Sequence, residues 1–235
     1  PTIPSLICAF TLYTMSNALD LEEQEQLDQL KHFWKTWGNL IFWVLIAVLG
    51  SYAAWNGYQY WQRTQAVKAS ALYDEVDRAV ASGDLARVER SLADMKDKFG
   101  STQFAQQAAL LAAKTLQSQG KSDAARAALL WVAETAADEA YRDVARLRLA
   151  GMQLDVKGYD EALKQLSSSF TPAMAGLAAD LRGDVLQAKG QSDLAVSAYQ
   201  QAWTQLADTP DYRRLVQAKL NALGADPQSS VERKK

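Results

Sequence analysis

The sequence predicts an all-α protein with a single N-terminal transmembrane helix followed by an α-solenoid of degenerate helical hairpins. Three observations carry that prediction. One strongly apolar stretch, "GNLIFWVLIAVLGSYAAWNGYQYW" at 38–61, stands out from an otherwise ordinarily charged chain. Beyond it no sustained alternation of Val, Ile or Thr appears, so helices must build the body. Glycines at Gly83, Gly120, Gly158 and Gly190 then recur at intervals of 37, 38 and 32 residues, each between two helix-like runs. A unit of that length, made of helix, tight turn and helix, stacks on its neighbours because one hairpin alone cannot bury its apolar face.

The elements follow in chain order. Residues 1–14, "PTIPSLICAFTLYT", are apolar but lack the basic start of a signal peptide, and "SLIC" makes a poor lipobox. Because "MSNALDLEEQEQLDQL" begins at Met15 like a natural start, 1–14 read as a non-native or disordered extension without function. Residues 15–35 form an acidic tail carrying Asp20, Glu22, Glu23, Glu25 and Asp28 against Lys31 and Lys35. Between Lys35 and Arg63 no side chain is charged. As a helix, 36–62 would reach about 40 Å, more than the roughly 30 Å of a bilayer's hydrocarbon core. Aromatic rings collect at both ends, with Phe33, Trp34 and Trp37 before and Tyr52, Trp55, Tyr58, Tyr60 and Trp61 after. Such rings favour the membrane interface, where an apolar body and a hydrogen-bonding tip are both accommodated. Ala47, Gly50, Ser51, Ala54 and Gly57 share one side of the helix, a packing face that would let another helix approach closely in lipid. Charge does not orient the span: Lys31 and Lys35 precede it, and Arg63, Lys68 and Arg78 follow.

The repeat body covers 63–223. Its first helices are expected in "VKASALYDEVDRAVAS" and "LARVERSLADMKDKF". At each glycine, a left-handed Gly is expected to stop one helix, and the Asp one to three residues later to cap the next. In "GDVLQAKGQSDLAVSAYQQAW", Gly183, Gly190, Ala195, Tyr199 and Ala202 stand where tetratricopeptide repeats place their small and aromatic residues. The unit with Gly151 and Gly158 is one residue shorter before Ala162, and the unit with Ala113, Gly120 and Ala125 lacks the first glycine and the aromatic. The fold class is therefore a solenoid of degenerate tetratricopeptide-like hairpins. Trp131, Tyr199 and Trp203 are expected in its core. The end, 224–235, has the composition of a disordered tail.

Composition narrows the function. The body is nearly neutral, without the clustered excess of Lys and Arg that nucleic-acid binding requires. Cys8 is the only cysteine, so neither an intramolecular disulfide nor a cysteine-based metal site can form. His32, the only histidine, lies beside the span, and no GxxxxGK[ST] loop, GxSxG elbow or HExxH motif occurs. The chain reads as non-enzymatic, with no cofactor and no metal. A solenoid instead offers a surface that holds a polypeptide segment. By analogy with tetratricopeptide repeats, that groove is lined from the first helix of each pair. Mapping through Ala113, Gly151 and Gly183 gives Gln107, Lys114 and Gln117, then Arg148 and Asp155, then Asp180, Asp184 and Gln187. With only two bases, this set does not reproduce the basic clamp that holds chaperone carboxylate tails.

The acidic "ALDLEEQEQLDQLKHFWKTWGN", a span ending "YAAWNGYQYWQ", then "ASALYDEVDRAVASGD" and degenerate repeats together resemble the YfgM family, ancillary subunits of the bacterial Sec translocon. The likeness covers about Met15 to Leu223, and its one departure is a Leu or Asp in place of a leading Tyr in the anchor-proximal pattern. The resemblance implies a bacterial inner-membrane protein with its tail in the cytoplasm and its repeat body in the periplasm. It implies an adaptor that links the SecYEG channel to a membrane-anchored periplasmic chaperone of the prolyl-isomerase type, with exported polypeptides and membrane lipid as further partners. The alternative it carries is a regulatory anchor whose N-terminal tail restrains a cytoplasmic stress-response regulator.

Overall fold

The structure, a computed structural model, describes residues 21–206 and 209–225, with side chains from Lys31 onward. The expectations for 1–14, and for the tail beyond Ala225, lie outside the described residues. Among the described residues there are helices and no strands: α1 (Leu21–Ser82), α2 (Leu85–Phe99), α3 (Gln103–Ser118), α4 (Ser122–Thr135), α5 (Glu139–Asp155), α6 (Tyr159–Leu166), α7 (Pro172–Ala188), α8 (Ser192–Gln205) and α9 (Pro210–Ala222). The chain divides into two compact units, one ending at Gln59 and the other beginning at Tyr60.

In the first unit, helix continues from Leu21 through Gln59, so the latter half of the acidic tail is helical together with the span. The window around the apolar stretch is the one candidate for crossing a membrane among the described residues, and none of it is buried within the protein. Trp43 and Leu49 are each 63% exposed, and Phe42, Val44, Leu45 and Val48 are also uncovered. An uncovered apolar surface of this size requires an apolar surrounding. The polar groups inside the stretch are turned onto the helix's own backbone, since Ser51 Oγ donates to the Ala47 carbonyl at 2.7 Å and Asn56 Nδ2 to the Tyr52 carbonyl at 3.0 Å.

The second unit starts with the remainder of α1, which packs with α2 as the first hairpin. α3 with α4, α5 with α6, and α7 with α8 are the next three, and α9 packs against α8. First helices also meet one another, α3 against α5 and α5 against α7, as in stacked repeats. The hairpin turns share one closure. The N–H groups of Asp84, Lys121, Gly158 and Gln191 donate to the carbonyls of Ala79, Leu116, Gln153 and Leu186 at 3.2, 2.8, 2.7 and 2.9 Å. This six-to-one bond around a left-handed residue satisfies carbonyls that the ending helix would otherwise leave open. Gly83, Gly120 and Gly190 take positive φ as the sequence predicts.

Gly158 does not. The left-handed residue of the third turn is Lys157, φ 62°, and Gly158 is the cap residue of α6 at φ −80°. The turn falls one residue early, where the sequence is one residue short. The expected caps also need correction. Asp84 accepts from the Arg87 N–H at 3.0 Å, but α4, α6 and α8 have no side-chain cap. Asp123, Asp160 and Asp193 sit inside the first turn instead, where a carboxylate is favoured by the positive end of the helix dipole. Left-handed residues therefore fall at Gly83, Gly120, Lys157, Gly190 and also Gly224, at intervals of 37, 37, 33 and 34. The Gly224 turn carries the same bond, from the Ala225 N–H to the Leu220 carbonyl at 3.0 Å. α9 thus ends as the first helix of every repeat ends.

The core is rich in alanine. Ala105, Ala108, Ala109, Ala112 and Ala113 bury one side of α3 in a core with Met95, Leu129 and Val132. Small side chains let the paired helices approach closely, while full burial of a leucine such as Leu166 stabilises by about 1.5–3 kcal/mol. Tyr199 is the largest fully buried side chain among the described residues. Its ring fills the space that a Cβ at Gly183 would occupy, which is why the glycine stands there. Trp131 and Trp203 pack only partly buried against their cores, each under a cation: Lys96 Nζ lies 5.0 Å from the Trp131 ring, and Arg213 Cζ 4.0 Å from that of Trp203. Burial lowers the pKa of the Lys96 ammonium.

Candidate functional site

The residues mapped onto a groove occupy three first helices, and the structure gives them different surroundings. On α3, Lys114 and Gln117 are exposed. Gln107 Nε2 donates to the Tyr141 hydroxyl of α5 at 2.5 Å. On α5, Asp155 is exposed, while Arg148 donates to the Leu110 carbonyl at 2.8 Å. Gln107 and Arg148 thus tie α3 to α5 across the row of first helices.

The α7 residues meet one another around a single cation. Asp180 is 2% exposed, and both its carboxylate oxygens accept from Lys219 Nζ at 2.9 Å. The same ammonium reaches Asp184 at 2.7 Å and lies 5.4 Å from the centre of the Tyr199 ring. Tyr212 donates its hydroxyl to Asp180 at 2.8 Å. Tyr199 donates to Asp184 at 2.7 Å, with Gln187 Oε1 at 2.9 Å. Burial first, then the hydrogen bond to a carboxylate, raises the pKa of both tyrosines well above that of a free phenol. Asp180, Asp184 and Gln187 are therefore engaged by the chain's own α8 and α9.

Lys219, Tyr212 and Tyr141 are the members that sequence reasoning missed. A signal for them exists: Tyr141 and Arg148 on α5 have the same spacing as Tyr212 and Lys219 on α9, seven residues in each case. Each pair reaches back to the preceding first helix. On the span, Ala47, Gly50, Ser51, Ala54 and Gly57 are all exposed, and a Cβ added at Gly50 or Gly57 would meet nothing within 4 Å.

One cleft lies beside the row of first helices. It has a volume of about 350 Å³ and is enclosed by α1 from Trp61 to Ala66, by the start of α3 from Ser101 to Phe104, and by Ala137. Phe104 is held in its wall by the Tyr73 ring at 6.0 Å. Thr102 caps α3, accepting from the Ala105 N–H at 3.3 Å.

Comparison with known proteins agrees with this architecture. A family model described as a tetratricopeptide repeat-like domain matches residues 31–225, the span included. The chain is similar to proteins named ancillary SecYEG translocon subunit. It is 32% identical to that of Neisseria gonorrhoeae over 88% of this chain and 99% of that protein. It is 29% identical to that of Escherichia coli over 86% and 96% of the two chains. The Haemophilus influenzae protein is 28% identical over 88% and 100%.

Proposed function

Because this chain belongs to the family of ancillary SecYEG translocon subunits, we propose that it is a non-enzymatic, membrane-anchored adaptor of the Sec translocon. The observation that carries the reading is similarity over nearly the full length of the Neisseria gonorrhoeae protein, anchor and repeats together. The uncovered apolar surface of α1 supports the anchor, and the row of first helices supports a body that holds polypeptide segments. In this reading the acidic N-terminal segment lies in the cytoplasm and the repeat body in the periplasm. There the body links the SecYEG channel to a prolyl-isomerase-type chaperone and passes it exported chains. The small-residue face at Ala47, Gly50, Ser51, Ala54 and Gly57 is the contact within the membrane, and the exposed Lys114, Gln117 and Asp155 are the free part of the groove.

Photo-crosslinking from Ala54 and Arg148 in intact cells, with protease access to the C-terminal body, tests this. The expected result is a channel crosslink from Ala54, a chaperone or exported-chain crosslink from Arg148, and digestion of the body only from the periplasmic face. Digestion from the cytoplasmic side overturns both the orientation and the export role. A phenotype that follows removal of Asp20 to Asp28, with both crosslinks absent, selects the regulatory anchor instead.

A further inference from the structure

The cleft between α1 and the start of α3 belongs to none of the contacts assigned above. At Trp61 to Ala66, α1 passes beside the residues that begin α3. Trp61, Gln62 and Gln65 therefore stand as a wall beside Gln103 and Phe104. Its volume of about 350 Å³ lies at the small end of the roughly 300–1,000 Å³ typical of binding clefts. Among the described residues no ionisable side chain lines it. That argues against a phosphate-bearing headgroup or an anionic ligand, which require a cation or several convergent N–H groups. The lining instead combines three side-chain amides with the rings of Trp61 and Phe104.

Gln65 and Gln103 each offer a donor and an acceptor, and a peptide backbone presents the same two groups in alternation. A chain in transit has not yet formed the secondary structure that would pair those groups, and leaving them dry is costly. Aromatic walls supply the apolar surface that the same chain's side chains seek.

We propose that this cleft binds an extended, uncharged segment of polypeptide, its backbone paired by Gln65 and Gln103 and one apolar side chain held against the aromatic wall at Phe104. The proposal rests on the adaptor reading, and it gives the repeat body a client site at the first residues beyond the span.

The test uses the full-length protein in nanodiscs and a fluorescein-labelled, uncharged peptide of Phe, Ser and Thr, followed by fluorescence anisotropy. Gln65→Ala with Gln103→Ala is expected to weaken binding roughly tenfold, the loss of one or two neutral hydrogen bonds. Gln103 is exposed and Gln65 partly so, and an unchanged unfolding midpoint verifies that the variant folds. Replacing two Ser of the peptide with Glu is expected to weaken binding as much. Equal affinity of wild type and variant overturns the proposal. So does selective binding of a chitooligosaccharide in the same cleft, since amides and an indole also suit a sugar. The Ala54 crosslink separates the two readings. If the peptide binds and that crosslink fails, the translocon role falls and the cleft stands; if the crosslink forms and the peptide does not bind, only the cleft falls.

Discussion

Lys157 shows what one residue can cost in a repeat turn. It holds the left-handed position that glycine fills in the neighbouring turns, and Gly158 beside it takes an ordinary φ. A side chain in that conformation costs about 1–2 kcal/mol, and glycine recovers this less about 0.5–1 kcal/mol of unfolded-state entropy. Lys157→Gly should therefore stabilise the protein by about 0.5–1 kcal/mol, read as a higher urea midpoint at unchanged slope. Gly183 is the opposite case. It has no unusual backbone angle, yet a Cβ there would enter the Tyr199 ring. Gly183→Ala is expected to destabilise by about 1–3 kcal/mol, and Tyr199→Leu in the same chain should recover part of that loss. Both residues bear on what a sequence discloses. Gly183 and Tyr199 were legible as a small and large pair at repeat spacing. The displaced turn was visible only as a repeat one residue short, because "VKGY" does not reveal which residue will be left-handed.

At the scale of the element, α9 reaches back to the preceding first helix as α5 does, but onto carboxylates rather than an amide and a carbonyl. Val216 and Leu220 bury its apolar side, and Lys219 and Tyr212 hold it to the α7 carboxylates. Lys219→Met leaves Asp180 buried without its cation and should destabilise by about 1–3 kcal/mol, less than a fully buried pair because the ammonium is partly exposed. Hydrogen exchange should then rise in α9 and the end of α7, while α3 to α5 stay protected. The tyrosines add a dependence on pH. Their pKa values are raised in the folded protein, so above about pH 10 the unfolded chain gives up protons that the native state retains. Stability is constant with respect to these groups below that value and falls as pH climbs past it. Tyr212→Phe should make the fall shallower between about pH 10 and pH 12, monitored by circular dichroism in detergent. None of this could be read from the groove mapping. An analogy that assigns positions by repeat register predicts which side a residue occupies, but not whether the chain's own next helix has already taken it.

For the whole molecule, the sequence disclosed the division of labour more securely than the contacts. Periodic glycines, small residues at repeat spacing and a charge-free stretch pointed to helical repeats behind one span, because each follows from local spacing. Which carboxylates remain free depended on a helix 35 to 39 residues away in sequence, and local spacing does not encode that. The division also makes the anchor testable apart from the body. The strongly apolar part of the span is short, "LIFWVLIAVL", and the rest is Gly, Ala, Ser, Tyr, Trp and Asn, which contribute little to insertion. At the middle of a span each arginine costs about 2.5–3.5 kcal/mol, against about 0.3–0.6 kcal/mol gained per Leu, Ile, Phe or Val. Leu45→Arg with Val48→Arg therefore removes more than the apolar run supplies. The protein is expected to move from the membrane pellet to the supernatant after alkaline carbonate extraction. Leu45 and Val48 are uncovered and touch no repeat core, so the body should keep its helical signal and its urea midpoint. Retention of the double variant in the pellet would show that something other than α1 holds the protein to the membrane.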